Sequence, residues 1–317
     1  MNKLNRNVFD DNRIVSGRGS KNNVTPGKPY AWLAEKERTA SGETEETSII
    51  FLTNRECSFH CLMCDLWKNT TDSASPPGSL AVQIEFALKR LPPAKHLKLY
   101  NSGSFFDERA IAEAEYKEIA SLISHFDTVL VESHPRLINE KVLRFRDLLK
   151  PSLQVAMGLE TVNNRILSML NKNMTVEDFR RAAVFLRKNN ILSRAFILLR
   201  PPYLSEEEGI MWAERSIDFA FSSGSECCTV IPVRAGNGVM DYLQSQGFFH
   251  PPRISSLEKV TGYGISLGKG RVFADLWDLD KFSTCDICFR QRLERLDFMN
   301  INQIIPNEIN CSCDTIL

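Results

Sequence analysis

Apolar runs of strand length alternate with amphipathic stretches through the middle of the chain. From residue 48 onward, the apolar runs predict six strands, at about 48–53, 97–101, 128–132, 153–160, 194–199 and 227–232. The segments between and after them predict helices at about 79–90, 107–124, 139–149, 163–170, 175–189, 205–222 and 238–246. This alternation is typical of a parallel sheet with right-handed helical crossovers. Six units rather than eight predict an α/β fold with an incomplete barrel.

The two ends of the chain lack this alternation. The first 45 residues are polar and broken by glycine and proline, which predicts an irregular lead-in. Pro251 and Pro252 mark a second boundary, beyond which only short elements are predicted, a helix at 257–267, a strand at 271–277 and a helical stretch at 289–299. The predicted division is a lead-in at 1–45, a barrel domain at 46–250 and a cysteine-rich extension at 251–317.

Composition and charge are those of an ordinary globular protein. Apolar residues make up 43% and charged residues 25% of the 317 residues, which excludes a largely disordered or low-complexity chain. Lysine plus arginine equals aspartate plus glutamate at 39 each, so the net charge does not support a nucleic-acid partner. The N-terminus lacks a signal-peptide core and no apolar run could span a membrane. We therefore expect a cytoplasmic protein without a membrane partner.

Nine cysteines in a reducing compartment favour metal binding or catalysis over disulfides. Cys57, Cys61 and Cys64 follow the first predicted strand with the spacing C-x3-C-x2-C. Three thiolates are one short of a closed zinc site or a fully ligated 4Fe–4S cluster. A cluster held by three cysteines leaves one iron open to an external ligand, which makes it a chemical site. The alternatives are packed thiols, or a zinc site completed by His60 or His96.

A second cysteine group lies near the C-terminus. Cys285, Cys288, Cys311 and Cys313 form a C-x2-C pair and a C-x-C pair. Four thiolates suffice for one tetrahedral site, so we expect a shared metal centre that holds either zinc or an auxiliary 4Fe–4S cluster. Free thiols or a disulfide are the alternatives. The remaining pair, Cys227–Cys228, begins the sixth strand and is interpreted as core thiols.

The segment Cys57-Ser-Phe-His-Cys61-Leu-Met-Cys64 resembles the signature of the radical S-adenosylmethionine (SAM) superfamily. This resemblance implies a partial (β/α)6 TIM-type barrel and a 4Fe–4S cluster held by the three cysteines, with SAM on the open iron. It also implies an electron donor such as flavodoxin or ferredoxin. The implied reaction is reductive cleavage of SAM to a 5′-deoxyadenosyl radical, which abstracts hydrogen from the substrate.

Four further segments look closest to the branch that includes the radical-SAM lyase of archaeosine biosynthesis and the catalytic subunit of Elongator. They are Leu99-Tyr-Asn-Ser-Gly-Ser-Phe-Phe, Val131-Glu-Ser-His-Pro-Arg, Val155-Ala-Met-Gly-Leu-Glu-Thr and Phe249-His-Pro-Pro. The resemblance implies that Ser102, Gly103 and Ser104 bind the SAM amine, that Glu160 contacts SAM and that Lys172 holds its carboxylate. From the residues alone, the first three form an ordinary strand-to-helix turn and Lys172 is a solvated lysine.

The predicted function is a radical SAM enzyme that acts on a small molecule or a modified nucleoside, with the reaction subtype left open. A non-catalytic iron–sulfur or zinc protein, such as a redox sensor or scaffold, is the alternative from another class. Two more polar groups at strand ends fit either a pocket lining or an ordinary loop. They are Glu132 with His134 and Arg136, and Arg234 with Asn237.

Overall fold

The computed structural model describes residues 9–283 and 285–315, and of residues 314 and 315 only the backbone. Eight strands in these ranges form one sheet in chain order, and they are β1 (Ala31–Arg38), β2 (Thr44–Phe51), β3 (His96–Tyr100), β4 (Thr128–Glu132), β5 (Ser152–Glu160), β6 (Leu192–Leu199), β7 (Cys227–Pro232) and β8 (Arg271–Ala274). β1 pairs antiparallel with β2, and every later pair of neighbours is parallel. This half-barrel confirms the predicted α/β fold class.

Ten helices accompany the sheet in the described ranges, and they are α1 (Asp11–Ser16), α2 (Ser79–Leu88), α3 (Tyr116–Leu122), α4 (Glu140–Leu148), α5 (Asn164–Met169), α6 (Val176–Lys188), α7 (Glu206–Ser223), α8 (Val239–Ser245), α9 (Ile254–Ser266) and α10 (Asp286–Asn302). Thr175 and Ser205 begin α6 and α7 with capping boxes, which satisfy free N–H groups of the first turn. In the described part of the chain, no helix is both long and apolar enough to cross a membrane.

The two faces of the sheet have different chemistry. On β3, Leu97 and Leu99 belong to the apolar core, whereas Lys98 lies on the opposite, concave face because side chains alternate along a strand. Lys98 Nζ lies 2.6 Å from Glu35 Oε1 and also pairs with Glu37. Buried charges need partners, so ion pairs make this polar concave face compatible with folding.

Strand β1 corrects the prediction that residues 1–45 are irregular; residues 1–8 of that range lie outside the described part. The strand supplies Glu37, which pairs both with Lys98 on β3 and with Arg194 on β6, at 3.1 Å from its Nη1. Arg194 and Lys98 are 3% and 5% exposed, so their charges are balanced inside the protein. The strand was not predicted because its polar side chains bind buried cations rather than water.

The sheet also continues past residue 250, where the predicted barrel ended. The last strand, β8, pairs in parallel with β7, so α9 and β8 add one more unit to the sheet. Gly264 lets α9 approach β8 closely, because a Cβ at this position would lie 2.8 Å from Val272 Cγ2. The glycine that weakens the helical pattern is therefore required by the packing of the helix on the strand.

The amide side chains of Asn300 in α10 and of Gln303 just after it cover the free edge of β8. Gln303 Oε1 accepts the Val272 N–H at 2.7 Å, and its Nε2 donates to the Val272 carbonyl at 3.0 Å. Asn300 bonds the N–H and carbonyl of Ala274 in the same way, at 2.8 and 2.9 Å. These amides fill the bonding positions that a further strand would use, so the edge of the sheet is protected.

Candidate functional site

The cysteine triplet lies in the loop after β2, at the carboxyl ends of the parallel strands. Cys61 is buried, and Cys57 and Cys64 are half-buried. The Cys64 N–H donates to the Cys61 carbonyl at 3.1 Å, and the Leu62 N–H donates to the Leu170 carbonyl at 2.9 Å. These bonds fold the loop into a turn and attach it to the chain that follows α5.

The chemistry of the three thiols fits a metal centre. Burial raises the pKa of Cys61 to about 12 and also raises the pKa values of Cys57 and Cys64. The Lys172 ammonium opposes this rise at Cys57 and Cys61, and the Phe59 N–H hydrogen-bonds the Cys57 sulfur. A buried thiol of raised pKa keeps its proton unless a metal cation replaces it. The donor set therefore suits a cation bound by thiolates.

The backbone after β3 lies directly against the triplet. A Cβ added to Gly103 would lie 3.2 Å from Cys57 Cβ, so glycine allows this close approach. The N–H groups of Asn101 and Gly103 donate to Glu132 Oε1 at 2.9 and 3.3 Å. Burial raises the pKa of Glu132 to about 7, although these N–H bonds oppose the rise. Strands β3 and β4 thus meet beside the triplet.

The two serines that flank Gly103 are engaged within the protein. Ser102 has a positive φ of 54°, and its hydroxyl donates to Tyr30 Oη at 3.1 Å. The Ser104 hydroxyl accepts the His134 N–H at 3.0 Å, and its hydrogen bond lowers the pKa of Cys57. The Ser102 hydroxyl thus holds the strand end in place, whereas the Ser104 hydroxyl and the backbone of Gly103 face Cys57.

Glu160 and Lys172 form a buried ion pair, with Nζ 2.6 Å from Oε1. Glu160 has a φ of 63° and follows an irregularity in the register of β5 that begins at Gly158. A Cβ added to Gly158 would lie 2.1 Å from Glu160 Oε1 and 2.5 Å from Lys172 Nζ, so the pair lies over this glycine. Burial opposes the charge of Lys172, but Glu160 and the Cys61 thiol raise its pKa overall. Lys172 is thus a buried cation and not a solvated lysine.

His134 helps to fix the position of Lys172. Its ring stacks on Phe59, with centroids 3.7 Å apart and an interplanar angle of 11°. Its Nδ1 accepts the Arg136 N–H at 3.2 Å, so Nε2 carries the proton and donates to the Lys172 carbonyl at 2.9 Å. Burial lowers the pKa of His134 to about 3, which keeps the ring neutral.

Neither histidine considered as a fourth ligand completes the triplet. His96 lies at the start of β3, at the opposite end of the strand, where it bonds Thr128 at 2.6 Å and Glu45 at 2.7 Å. His60 is engaged with the carboxylate of Asp11 at 3.2 Å. The described residues therefore provide three cysteines and no histidine for this centre.

The four C-terminal cysteines meet in one group. Cys285 Sγ lies 3.7 Å from Cys311 Sγ, and Cys288 Sγ lies 3.5 Å from Cys313 Sγ. All four sulfurs lie within 4.8 Å of one another, a spacing that the triplet does not share among the described residues. The sequence analysis had assigned the same four cysteines to one shared site. The spacing of their sulfurs is suited to a single metal ion.

Arg292 connects this cysteine group to α9. Its Nε donates to Cys288 Sγ at 3.4 Å, and its guanidinium pairs with the buried Glu258. Arg292 also donates to the Ile309 carbonyl at 3.2 Å. The sequence offered no signal for this link, because it depends on how α10 packs against α9.

The two polar residues predicted after β7 have different roles. Arg234 pairs with Asp275 at 3.1 Å, in the loop after β8. Asn237 is 4% exposed, and its Nδ2 donates to the carbonyls of Leu62 and Cys64 at 2.8 and 3.1 Å. Asn237 thus binds the cysteine loop, a contact that sequence reasoning missed.

Comparison with known proteins identifies relatives in archaea. No family model matches the chain. An uncharacterized protein of Methanocaldococcus jannaschii is 25% identical over 277 residues, 81% of this chain and 75% of that protein. The archaeosine synthase subunit beta of Methanosarcina acetivorans is 29% identical over 215 residues, 63% of this chain and 60% of that protein. The chain thus matches less than two thirds of the latter relative's length.

The fold is similar to that of an archaeal Elp3. The structure of Methanocaldococcus infernus Elp3 superposes with a TM-score of 0.52 at 16% identity, and the match covers 70% of this chain and 59% of that one. The sequence resemblance to the branch of the archaeosine enzyme and Elongator is confirmed. Two relatives of the chain are named archaeosine synthase subunit beta, and the archaeal Elp3 shares the half-barrel fold.

Replacing Gly158 by alanine should displace the Glu160–Lys172 pair, because the new Cβ would lie 2.1 Å from Glu160 Oε1. Both ion-pair partners remain and their flexible ends can shift, so we expect a loss of about 1–3 kcal/mol in the free energy of unfolding by denaturant, the usual cost of overpacking. Gly19→Ala is the matched control, since nothing lies within 4 Å of a Cβ there. Equal stabilities of the two variants would contradict the described packing.

Proposed function

We propose that the chain is a radical SAM enzyme that holds a 4Fe–4S cluster through Cys57, Cys61 and Cys64. The position of the triplet carries this proposal, because it lies at the carboxyl edge of the half-barrel beside the cation of Lys172. Three thiols without a histidine fit a cluster that keeps one iron open. When bound, the cluster and SAM supply a 5′-deoxyadenosyl radical by one-electron reduction of SAM.

The residues around the triplet suit the two charged groups of the methionine part of SAM. We assign the carboxylate of SAM to Lys172 and its amine to the backbone at 102–104. Glu160 Oε1 lies 2.6 Å from Lys172 Nζ and stabilises the positive charge of this lysine. The Lys172 ammonium also favours the thiolate form of Cys57 and Cys61. We further propose that Glu160 contacts SAM beside Lys172. The neutral ring of His134 holds the Lys172 backbone and moves no proton.

A nucleoside-class substrate is proposed on the names of the relatives, two of which are archaeosine synthase subunits. The word subunit in these names supports a partner protein for this chain as well. A small-molecule substrate is the alternative. Reductive cleavage of SAM requires an electron donor, and we propose a flavodoxin or ferredoxin. A redox sensor or scaffold would need none of these partners and no SAM.

Zinc is proposed for the C-terminal cysteine group on geometric grounds. Four sulfurs at 2.3 Å from one tetrahedral ion stand about 3.8 Å apart, close to the 3.5 and 3.7 Å observed. In a 4Fe–4S cluster each thiolate binds a different iron, which spreads the sulfurs over the width of the cluster. The zinc would join the C-terminal segment to α10 and contribute to folding.

Alanine at Cys57, Cys61 or Cys64 should abolish the 4Fe–4S spectrum and SAM cleavage, because each thiolate is proposed to bind one iron. The measurement is 5′-deoxyadenosine formed by the anaerobically reconstituted, reduced protein. Cys228→Ala is the matched control, since Cys228 is fully buried in the core, and it should retain both properties. SAM cleavage at the wild-type rate by the triplet variants would refute the assignment.

Metal analysis should separate the two centres. A chain with alanine at all three triplet positions should contain one zinc and no iron, because only the C-terminal group of four thiols would remain. Further replacement of Cys288 and Cys313 should remove the zinc. Iron with acid-labile sulfide in the triplet-free chain would instead demonstrate an auxiliary cluster and overturn the zinc assignment.

A further inference from the structure

Asn237 uses its whole side-chain amide to join two segments. Its Nδ2 donates to the carbonyls of Leu62 and Cys64, at 2.8 and 3.1 Å, inside the turn that presents the last two cysteines. Its Oδ1 accepts the Met240 N–H at 2.7 Å and so caps the start of α8. A buried amide with both N–H groups and its oxygen hydrogen-bonded is a rigid link between α8 and the cysteine loop.

The surrounding backbone is shaped for this link. Gly236 and Gly238, on either side of Asn237, have φ values of 116° and 87°. A Cβ at Gly238 would lie 2.1 Å from the Gly17 carbonyl oxygen, so the loop is packed against the N-terminal segment. A flexible turn would not require two such conformations around a buried side chain.

We propose that Asn237 is a positioning residue for the cysteine loop. By binding the carbonyls of Leu62 and Cys64, its amide fixes the direction of the Cys61–Cys64 turn. The inference rests on the proposed function of the triplet and extends it to a residue on the far edge of the barrel. Its hydrogen bonds among the described residues all go to backbone groups, and it acts through them. Groups that orient metal ligands in this way typically change metal affinity or activity 10–100-fold when removed.

Asn237→Asp tests this role with little change in shape. One carboxylate oxygen keeps the bond to the Met240 N–H, whereas the other replaces Nδ2 and faces two carbonyl oxygens, which repel it. In the metal-free protein, amide hydrogen exchange across residues 58–66 should become about tenfold faster, the scale expected for lost buried hydrogen bonds. In the reconstituted protein, iron should be lost to a chelator about tenfold faster, with an altered EPR spectrum of the reduced cluster.

Asp241→Asn is the matched control, because the Asp241 carboxylate caps the same helix by accepting the Gly238 N–H at 2.6 Å, and it makes no hydrogen bond to the cysteine loop among the described residues. This variant should exchange and hold iron like the wild type, and thermal unfolding confirms that each variant is folded. Asn237→Ala, which loses all three hydrogen bonds, should show the same faster hydrogen exchange in the cysteine loop and the same faster iron loss as Asn237→Asp. Unchanged loop exchange and iron loss in both Asn237 variants, or equal changes in Asp241→Asn, would overturn the proposal.

A wild-type chain that binds no cluster would overturn the proposed function and with it the cluster role of Asn237. A wild type with a normal cluster beside unaffected Asn237 variants would overturn the Asn237 proposal alone. Hydrogen exchange and iron loss in the same set of proteins therefore distinguish the two failures.

Discussion

Charge pairing on the concave face of the sheet is the constraint on which the rest of the structure depends. One face of the sheet is apolar and packs on helices, whereas the other carries buried cations that each require a carboxylate. Glu37 forms ion pairs with Lys98 and Arg194 near the start of the strands, and Glu160 forms an ion pair with Lys172 near their end. The concave side can therefore be polar, charged and ordered, which suits a zwitterionic ligand better than an apolar lumen would.

The carboxyl edge brings segments that are distant in sequence to one small region. Gly103 after β3 approaches Cys57, Lys172 after α5 lies near Cys57 and Cys61, and Asn237 after β7 bonds the Cys64 carbonyl. This convergence follows from the parallel topology, in which the ends of all crossover strands meet at one edge. The separate C-terminal cysteine group forms between the first turn of α10, at Cys285 and Cys288, and the segment of Cys311 and Cys313 after that helix. The cysteine triplet thus lies at the edge of the sheet, and the C-terminal cysteine group lies among the segments after α8.

Local pattern was sufficient for much of the fold, since the strands at 128–132 and 227–232 have the predicted bounds. The cysteine spacing likewise grouped the four C-terminal cysteines, whose sulfurs meet in the structure. The strand at 31–38 was missed because its glutamates alternate like surface residues, and Glu37 is largely covered only by its pairing with Lys98 and Arg194. The contact of Asn237 with the cysteine loop was missed for a similar reason. Its partners are backbone carbonyls more than 170 residues away, and no local pattern records such a contact.

Direct ligation of SAM to the cluster is the central claim, and spectroscopy of the reduced wild-type protein tests it most directly. SAM labelled with 15N in its amine or 17O in its carboxylate is added to the reconstituted protein, and hyperfine coupling to the cluster is measured. A changed EPR spectrum and coupling from both labels are expected, because the proposed ligation by three cysteines leaves one iron open. A fully loaded cluster whose spectrum is unaffected by SAM would contradict it.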